Sequence, residues 1–184
     1  MKTQRSNIEV ELRGVMSESK QSQLLQFFSD GGVPVQKDDK ISYFFVTDGF
    51  ILKVTEDIDQ NRAKITVKNG DETRNILEEN EVMIDKKYVD AAVHMFVSLG
   101  YPKVNRVVQK RVNIDYKGAA ISLKYSDDWG YHFEVEKMAH DLTEAEAAKL
   151  ELGELCAELG LEPMNSDQIR QKIDDINRGH GFLD

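Results

Sequence analysis

Alternation of apolar and charged residues, repeated along most of the chain, limits the possible folds more than any other feature. The stretch NIEVELRG at 7–14 is the first example. Its apolar residues Ile8, Val10 and Leu12 alternate with the charged residues Glu9, Glu11 and Arg13. Residues two apart share a face of a pleated strand, so this period predicts a β-strand with one apolar and one charged face.

Seven further segments alternate in the same way and are predicted to be strands. Turn sequences lie between several of them, and the Asn69-Gly70 pair is typical of a hairpin. About eight antiparallel strands in 184 residues are expected to close into a barrel or to form a sandwich, because open sheet edges promote aggregation. The seven segments are 41–46, 50–56, 62–68, 73–82, 105–116, 119–126 and 131–138.

Four helices are predicted from their caps and apolar stripes. Ser17 is the expected N-cap of the first helix, and the second covers 86–99. Thr143 and Glu146 form a capping-box pattern that opens the third helix, and Ser166 is the expected cap of the fourth. We therefore expect one domain, with these ranges: 1–184 for the domain, 1–7 for an N-terminal tail and 143–184 for the C-terminal helices.

Composition argues against several classes of protein. The net charge of −9 argues against broad nucleic-acid binding, and no apolar run is long enough to cross a bilayer. The first residues lack the apolar stretch of a signal peptide. A single cysteine, Cys156, excludes an internal disulfide, and its apolar helical surroundings predict a core residue. We expect a cytoplasmic protein with no membrane partner and no specific nucleic-acid partner.

The charges on the polar faces are sorted by strand. In the segment HFEVEK, Glu134 and Glu136 repeat the Glu-x-Glu spacing of the first strand. The 73–82 segment is ambiguous, because Arg74 and Glu78 share a parity that Ile76 interrupts. Acids thus concentrate on the first and last strands, whereas the strands between them carry bases at Lys53, Lys64, Lys68, Arg111 and Lys124.

Two interpretations of these charged faces are open. A solvated sheet face is the simpler one, since polar residues on the outside are normal for a half-buried antiparallel strand. If the charged faces turn inward instead, they need partners, because a buried charge is costly unless it is paired or ligated. Acids on one wall and bases on the others would then imply metal ions on the carboxylates and a polyanion on the bases.

Six segments carry a further signal through their order and spacing. They are EVELR, SQLLQFFSDGG, KISYFFVTDGFILKV, KITVK, FVSLGYPKVNRVVQKR and WGYHFEVE. EVELR is similar to a Glu-x-Glu-x-Lys signature, and WGYHFEVE is similar to a closing Gly-x-Phe-x-Glu-x-Glu motif. Together, over about residues 8–160, they resemble the CYTH superfamily, the triphosphate tunnel metalloenzymes. This group includes class IV adenylyl cyclases, thiamine triphosphatases and inorganic triphosphatases.

The resemblance implies both a fold and a site. The fold is α+β, an antiparallel eight-stranded β-barrel that forms a tunnel with a charged interior and has helices packed outside. By resemblance, Mg²⁺ or Mn²⁺ would be held by Glu9, Glu11, Glu134 and Glu136. Catalytic roles would fall on Glu9, Glu11 and Arg13. A triphosphate would be held by Arg13, Lys53, Lys68, Arg74, Arg111 and Lys124, with Lys64 and Lys110 as further candidates.

Five positions depart from the family pattern. Arg13 stands where Lys is usual, and a guanidinium is a poor proton acceptor. Lys53 replaces a usual Arg, Thr55 replaces a common basic residue, and His132 replaces Phe. Lys124 falls where the family commonly has an inward Asp, so it either adds a phosphate contact or displaces one metal ion.

The leading functional hypothesis is a metal-dependent phosphohydrolase. Water would attack a terminal phosphoryl group of inorganic triphosphate, thiamine triphosphate or a nucleoside triphosphate. One alternative is a class IV-type adenylyl cyclase, which converts ATP to cyclic AMP and pyrophosphate. Another is a non-catalytic polyphosphate- or nucleotide-binding module, which Arg13, Thr55 and Lys124 favour. The oligomeric state, including a homodimer, stays open.

Overall fold

Strands and helices follow one another nearly in the predicted order. The structure is a computed structural model and describes residues 8–58, 60–69 and 75–179. The helices are α1 (Glu18–Asp30), α2 (Val89–Ser98), α3 (Leu142–Glu158) and α4 (Ser166–Gly179), with a 3-10 helix at Lys86–Tyr88. None of these described helices is both long and apolar enough to cross a membrane. The strands are β1 (Ile8–Val15), β2 (Gln36–Lys37), β3 (Lys40–Phe45), β4 (Phe50–Asp57), β5 (Ala63–Asn69), β6 (Ile76–Ile84), β7 (Val104–Tyr116), β8 (Ala119–Ser126) and β9 (Gly130–Ala139).

Eight of these strands form a closed antiparallel barrel. Their order is β7-β3-β4-β5-β6-β1-β9-β8, and the barrel closes because β8 also pairs with β7. The long β7 serves both neighbours, pairing with β3 through its first half and with β8 through its second half. The short β2 adds to β7 beyond the end of β3. Closure removes the open edges of the sheet, and it confirms the predicted α+β fold with an eight-stranded barrel.

The apolar faces of the strands point outward, beneath the helices. Val10 of β1 and Phe133 of β9 are fully buried in a cluster with Phe28 of α1 and Leu152 of α3. Cys156 lies in the same cluster, as predicted for a core residue. A second cluster packs α2 against β3, β4 and β7. Because the helices bury the apolar faces, the opposite, charged faces turn into the barrel.

The third and fourth helices begin earlier than their predicted caps. The Asp141 side chain accepts a hydrogen bond from the Glu144 amide at 2.8 Å and caps α3. In the same way, Asn165 accepts from the Gln168 amide at 3.0 Å at the start of α4. Both predicted caps are therefore wrong, because a carboxylate or amide side chain slightly upstream already reaches the free amides of the first turn.

Gly14 marks a close approach between β1 and the segment that follows α3. A Cβ atom at Gly14 would lie 2.5 Å from the Glu162 carbonyl oxygen and 2.8 Å from the Phe133 ring. We expect Gly14→Ala to lower the free energy of unfolding by about 1–3 kcal/mol through overpacking, measured by urea denaturation. Gly153→Ala is the matched control: a Cβ there meets no atom within 4 Å, and Ala is the better helix former. A Gly14→Ala protein as stable as wild type would contradict this close packing.

Candidate active site

The barrel encloses a cavity of about 440 Å³, a volume typical of a small-molecule site. The charged side chains that alternate with apolar ones along the strands line this cavity. The interpretation in which the charged faces turn inward is therefore correct. Lys110 is not part of the lining, because it is exposed on the outer face of β7. Arg74 lies outside the described residues. The predicted site residues that line the cavity are Glu9, Glu11, Arg13, Lys53, Lys64, Lys68, Arg111, Lys124, Glu134 and Glu136.

Three carboxylates meet on the wall formed by β1 and β9. Glu9 and Glu11 share the inward face of β1, and the strand register sets Glu11 directly opposite Glu136 of β9. One oxygen from each of the three side chains lies within 4.8 Å of the others. Pairing of the first strand with the last therefore joins the two Glu-x-Glu segments into one acid group.

Lys68 reaches into this acid group from β5. Its ammonium forms an ion pair with Glu9 and lies 3.4 Å from Glu11 Oε2 and 3.2 Å from Glu79 Oε2. Burial alone would lower the pKa of Lys68, but Glu11, Glu9 and Glu79 together raise it above its ordinary value. Glu79 was missed by the sequence analysis, which favoured Glu78; Glu78 is exposed. The only signal for Glu79 was its place in a run of acids, where the alternation is unclear.

Arg13 and Glu11 form a second contact on the inward face of β1. The Arg13 guanidinium lies 2.6 Å from Glu11 Oε1. Burial alone would raise the pKa of Glu11, but the positive charges of Arg13 and Lys68 outweigh burial and lower it. Within the described part of the chain, Glu11 Oε1 has this ion-pair contact but no hydrogen bond of good geometry. This buried oxygen therefore retains hydrogen-bonding or metal-binding capacity.

The acid group fits a divalent cation. Burial, with added repulsion from Glu11, raises the pKa of Glu9 to about 7. Burial, Glu11 and Glu134 likewise raise the pKa of Glu136. Repulsion between these carboxylates favours a bound cation, and their hard oxygens are the donors that Mg²⁺ and Mn²⁺ prefer. Such an ion would compete with Lys68 for the same oxygens.

Glu134 lies outside this three-carboxylate group. It forms an ion pair with Lys124 of β8, and the register sets it opposite Arg13 of β1. Burial alone would raise the pKa of Glu134, but Lys124, Arg13 and Arg111 hold it well below its ordinary value. Glu134 is therefore a carboxylate already neutralised by protein cations, and its role as a metal ligand stays a prediction.

Lys53 and Arg111 bring positive charge to the opposite walls. Among the described residues, no carboxylate lies within ion-pair distance of Lys53 on β4. Burial lowers the pKa of Lys53 to about 8, and Lys68 and Lys64 add repulsion. The Arg111 guanidinium on β7 is held at the cavity wall, where it donates to Asn113 Oδ1 at 2.6 Å. The Lys53 ammonium instead lies 5.8 Å from the centroid of the Phe44 ring, which leaves its charge available to an anion.

Two of the positions that depart from the family pattern have neutral local partners. Thr55 Oγ1 and Ser42 Oγ lie 3.0 Å apart in a buried hydroxyl pair. His132 Nδ1 donates to the Gly130 carbonyl oxygen at 2.9 Å. Burial, with the Lys124 charge acting in the same direction, lowers the pKa of His132 to about 4. These two positions therefore add neutral hydrogen-bonding groups to the lining at pH 7.

Helix α4 lines the cavity at the end of the barrel that carries the β8–β9 turn. Ile173 and Ile176 of α4 face the cavity beside Trp129 of that turn. The Lys172 ammonium lies 6.0 Å from the centroid of the Trp129 ring. The sequence analysis assigned α4 no place in the site. Its available signal was the amphipathic spacing of isoleucines along the helix.

A closed barrel lined by ionic side chains defines the class of protein, a β-barrel with a charged internal cavity. No protein-family model and no curated protein sequence matches this chain. PH1819 from Pyrococcus horikoshii OT3 has a TM-score of 0.70 at 20% identity, over 89% of this chain and 98% of that chain. A conserved hypothetical protein from Pyrococcus furiosus has a TM-score of 0.68 at 22% identity, over 84% and 91%. HpAC1 from Hippeastrum, a putative adenylyl cyclase described as having a dominant triphosphatase activity, has a TM-score of 0.60 at 16% identity. The match covers 85% of this chain and 89% of that chain.

These similarities establish the fold of the chain. The fold that the resemblance to the CYTH superfamily implied, an antiparallel eight-stranded barrel, is confirmed. At identities of 22% or lower, a shared barrel does not define an activity. The activity has to be argued from the residues that line this cavity.

Proposed function

We propose that this protein is a metal-dependent phosphohydrolase that acts on a triphosphate bound inside the barrel. The proposal is carried by the sorting of charge within one cavity, where a group of three carboxylates on β1 and β9 faces cations on β4, β5 and β7. Buried charges need a partner of opposite sign. A phosphate chain with a divalent cation has the matching distribution of charge, positive at one end and negative along the rest.

Glu9, Glu11 and Glu136 would hold a Mg²⁺ or Mn²⁺ ion. Glu134, the fourth ligand that the resemblance implied, lies on the same strand as Glu136 but has its charge balanced by Lys124. The chemistry that the ion supplies when bound is polarisation of a phosphoryl oxygen and of the attacking water. The protein's part is to present these carboxylates from two paired strands, which keeps their spacing rigid.

The cations of the other walls would bind and orient the phosphate chain. Lys53 and Arg111 line the same cavity as the acid group, and both can donate to phosphate oxygens that gain negative charge as the P–O bond breaks. Lys68 stays protonated among its carboxylates and can share its donors with a phosphoryl oxygen. Arg13 keeps its proton at neutral pH, so its proposed role is to orient Glu11 and to bind phosphate. Arg74 is the remaining residue that we propose to bind the phosphate chain.

We also infer a small-molecule triphosphate as the substrate and the cytoplasm as the setting. The cavity volume of about 440 Å³ suits a small molecule. Cys156 is a free, buried thiol, as is usual in a reducing compartment.

Product analysis tests the proposed activity. The protein is incubated with tripolyphosphate, thiamine triphosphate or ATP, with Mg²⁺ or Mn²⁺, and phosphate, pyrophosphate and cyclic AMP are measured. We expect phosphate release that stops when EDTA removes the metal. Cyclic AMP together with pyrophosphate would identify an adenylyl cyclase instead. Binding without turnover with either metal would identify a binding module.

Lys53 gives the proposal a pH-dependent prediction. Its pKa is lowered to about 8, so its charge is present below that pH and is lost above it. Lys53→Met is therefore expected to weaken tripolyphosphate binding by roughly tenfold or more at pH 7, and this difference from wild type should shrink toward zero above pH 9. Calorimetry without divalent cations measures both proteins at each pH, with the exposed Lys110→Met as the matched control. Equal affinities at pH 7 would remove Lys53 from the phosphate site.

A further inference from the structure

We propose that Lys124 takes the place of a second divalent cation, so that the barrel holds a single Mg²⁺ or Mn²⁺ ion on Glu9, Glu11 and Glu136. This inference rests on the metal centre proposed above and specifies how many ions it takes. It also assigns Lys124 a task of its own, which is to neutralise Glu134.

The geometry of the acid wall separates Glu134 from its neighbours. Glu134 and Glu136 share the inward face of β9, and with the two acids of β1 they make a wall that would suit two adjacent cations. Only Glu9, Glu11 and Glu136, among the described residues, bring their oxygens within 4.8 Å of one another. The carboxylate of Glu134 instead contacts the Lys124 ammonium, whose side chain is only 4% exposed.

Positive charge is distributed unequally along this wall. Glu134 lies between Lys124 on one side and Arg13, its register partner on β1, on the other. Arg111 is the register partner of Lys124 on β7, so a third cation stands behind the pair. Arg13 also pairs with Glu11, and Arg111 with Asp38. Lys124 is therefore the cation that serves Glu134 alone, and a divalent ion at Glu134 would have to displace it. Glu136, by contrast, has no ion-pair partner among the described residues and can give its full charge to an ion.

Lys68 also touches carboxylates, but its surroundings give it a different role. Its ammonium is shared between Glu9, Glu11 and Glu79, and Glu79 lies on β6, the strand that pairs with β1, outside the group of three carboxylates. When an ion binds Glu9 and Glu11, Lys68 can retain Glu79 as its partner. Lys124 has only one carboxylate partner among the described residues, Glu134, so leaving it would strand two buried charges.

Counting bound ions tests the proposal directly. The full-length, metal-free protein is titrated with Mn²⁺, and bound ions are counted by electron paramagnetic resonance and by calorimetry. We expect a single Mn²⁺ per wild-type chain. Lys124→Met removes the ammonium and keeps its stem, so it is expected to admit a second Mn²⁺, with a signal broadened by coupling between neighbouring ions. Lys124→Gln serves the same purpose if thermal melting shows that Lys124→Met does not fold.

A surface lysine provides the matched control. Lys117 is an exposed lysine paired with Glu158 at 2.6 Å, far from the cavity lining, so Lys117→Met should bind the same single ion as wild type. Two coupled ions in the wild-type chain would overturn the role of Lys124 and leave the metal centre standing. A single ion in both folded Lys124 variants would overturn it as well. No bound Mn²⁺ in the wild-type chain would contradict the metal centre itself.

Discussion

Replacing Glu9 by Gln is expected to abolish metal-dependent turnover and, at the same time, to stabilise the metal-free protein at pH 8. Turnover should fall by roughly 100-fold or more, because the variant loses a carboxylate of the acid group that would hold the ion. The stabilising effect follows from the pKa of Glu9, which burial and Glu11 raise from 4.5 to about 7. A carboxyl group with a raised pKa is protonated more easily in the folded state, so its contribution to stability declines as pH rises from 4.5 to 7.

Glutamine removes this penalty because it stays neutral at every pH. The gain in the free energy of unfolding at pH 8 should be on the order of 2–3 kcal/mol, and it should vanish near pH 4, where the native carboxyl is protonated in both states. Urea denaturation of the metal-free proteins at the two pH values measures it. Glu78→Gln is the matched control, because Glu78 is an exposed neighbour on β6 that does not line the cavity. Full turnover in Glu9→Gln would exclude Glu9 from the site, and a loss of stability at pH 8 would contradict its raised pKa.

Replacing Lys68 by Met is expected to destabilise the metal-free protein by about 3–5 kcal/mol at pH 8. The ammonium of Lys68 is the shared partner of Glu9, Glu11 and Glu79, so its loss leaves two buried carboxylates and a half-buried one without this cation. The effect should be smaller at pH 5, where the carboxyl of Glu9 can be protonated. Added Mg²⁺ or Mn²⁺ should restore more stability to this variant than to wild type, since an ion that binds the folded state stabilises it by mass action.

Thermal melting with and without divalent cations measures both parts of this prediction. Lys117→Met is the matched control, because Lys117 pairs with Glu158 at the exposed surface, and we expect no measurable change in stability there. A double variant, Lys68→Met with Glu9→Gln, should recover part of the loss, because one of the stranded charges is gone. A Lys68→Met protein as stable as wild type, or one that metal does not stabilise further, would show that the acid group is neutralised by something else.

The period of two residues predicted the strands and the side chains that share a face of each strand. It left open a barrel or a sandwich, and an inward or a solvated charged face. The resemblance to the CYTH superfamily implied the barrel and its charged interior. Each strand, taken alone, shows which side chains share a face, and charges at strand centres are too costly to bury without ligands. The exception is β6, where Glu79 lies in a run of acids and the alternation is lost. The sequence analysis placed Glu78 on the charged face with Arg74, whereas in the structure Glu79 lines the cavity and Glu78 is exposed.

The contacts between strands could not be predicted in the same way. Lys124 lies opposite His132 in the β8–β9 register, so its ion pair with Glu134 runs diagonally and depends on where the connecting turn sets that register. The separation of Glu134 from the group of Glu9, Glu11 and Glu136 follows from this diagonal pair. A shift of one residue would reverse the faces, and a shift of two would change every partner.

Alternation along the amino-acid chain was thus enough to assign the charged side chains of every strand except β6 to one face and to predict a barrel or a sandwich, because a strand's periodicity is a local property. Which acid meets which base, how many ions the acid wall can take and where α4 lies were decided by the tertiary structure alone. The physical reason is that these depend on strand register and barrel closure, which join residues more than a hundred positions apart, such as Glu11 and Glu136.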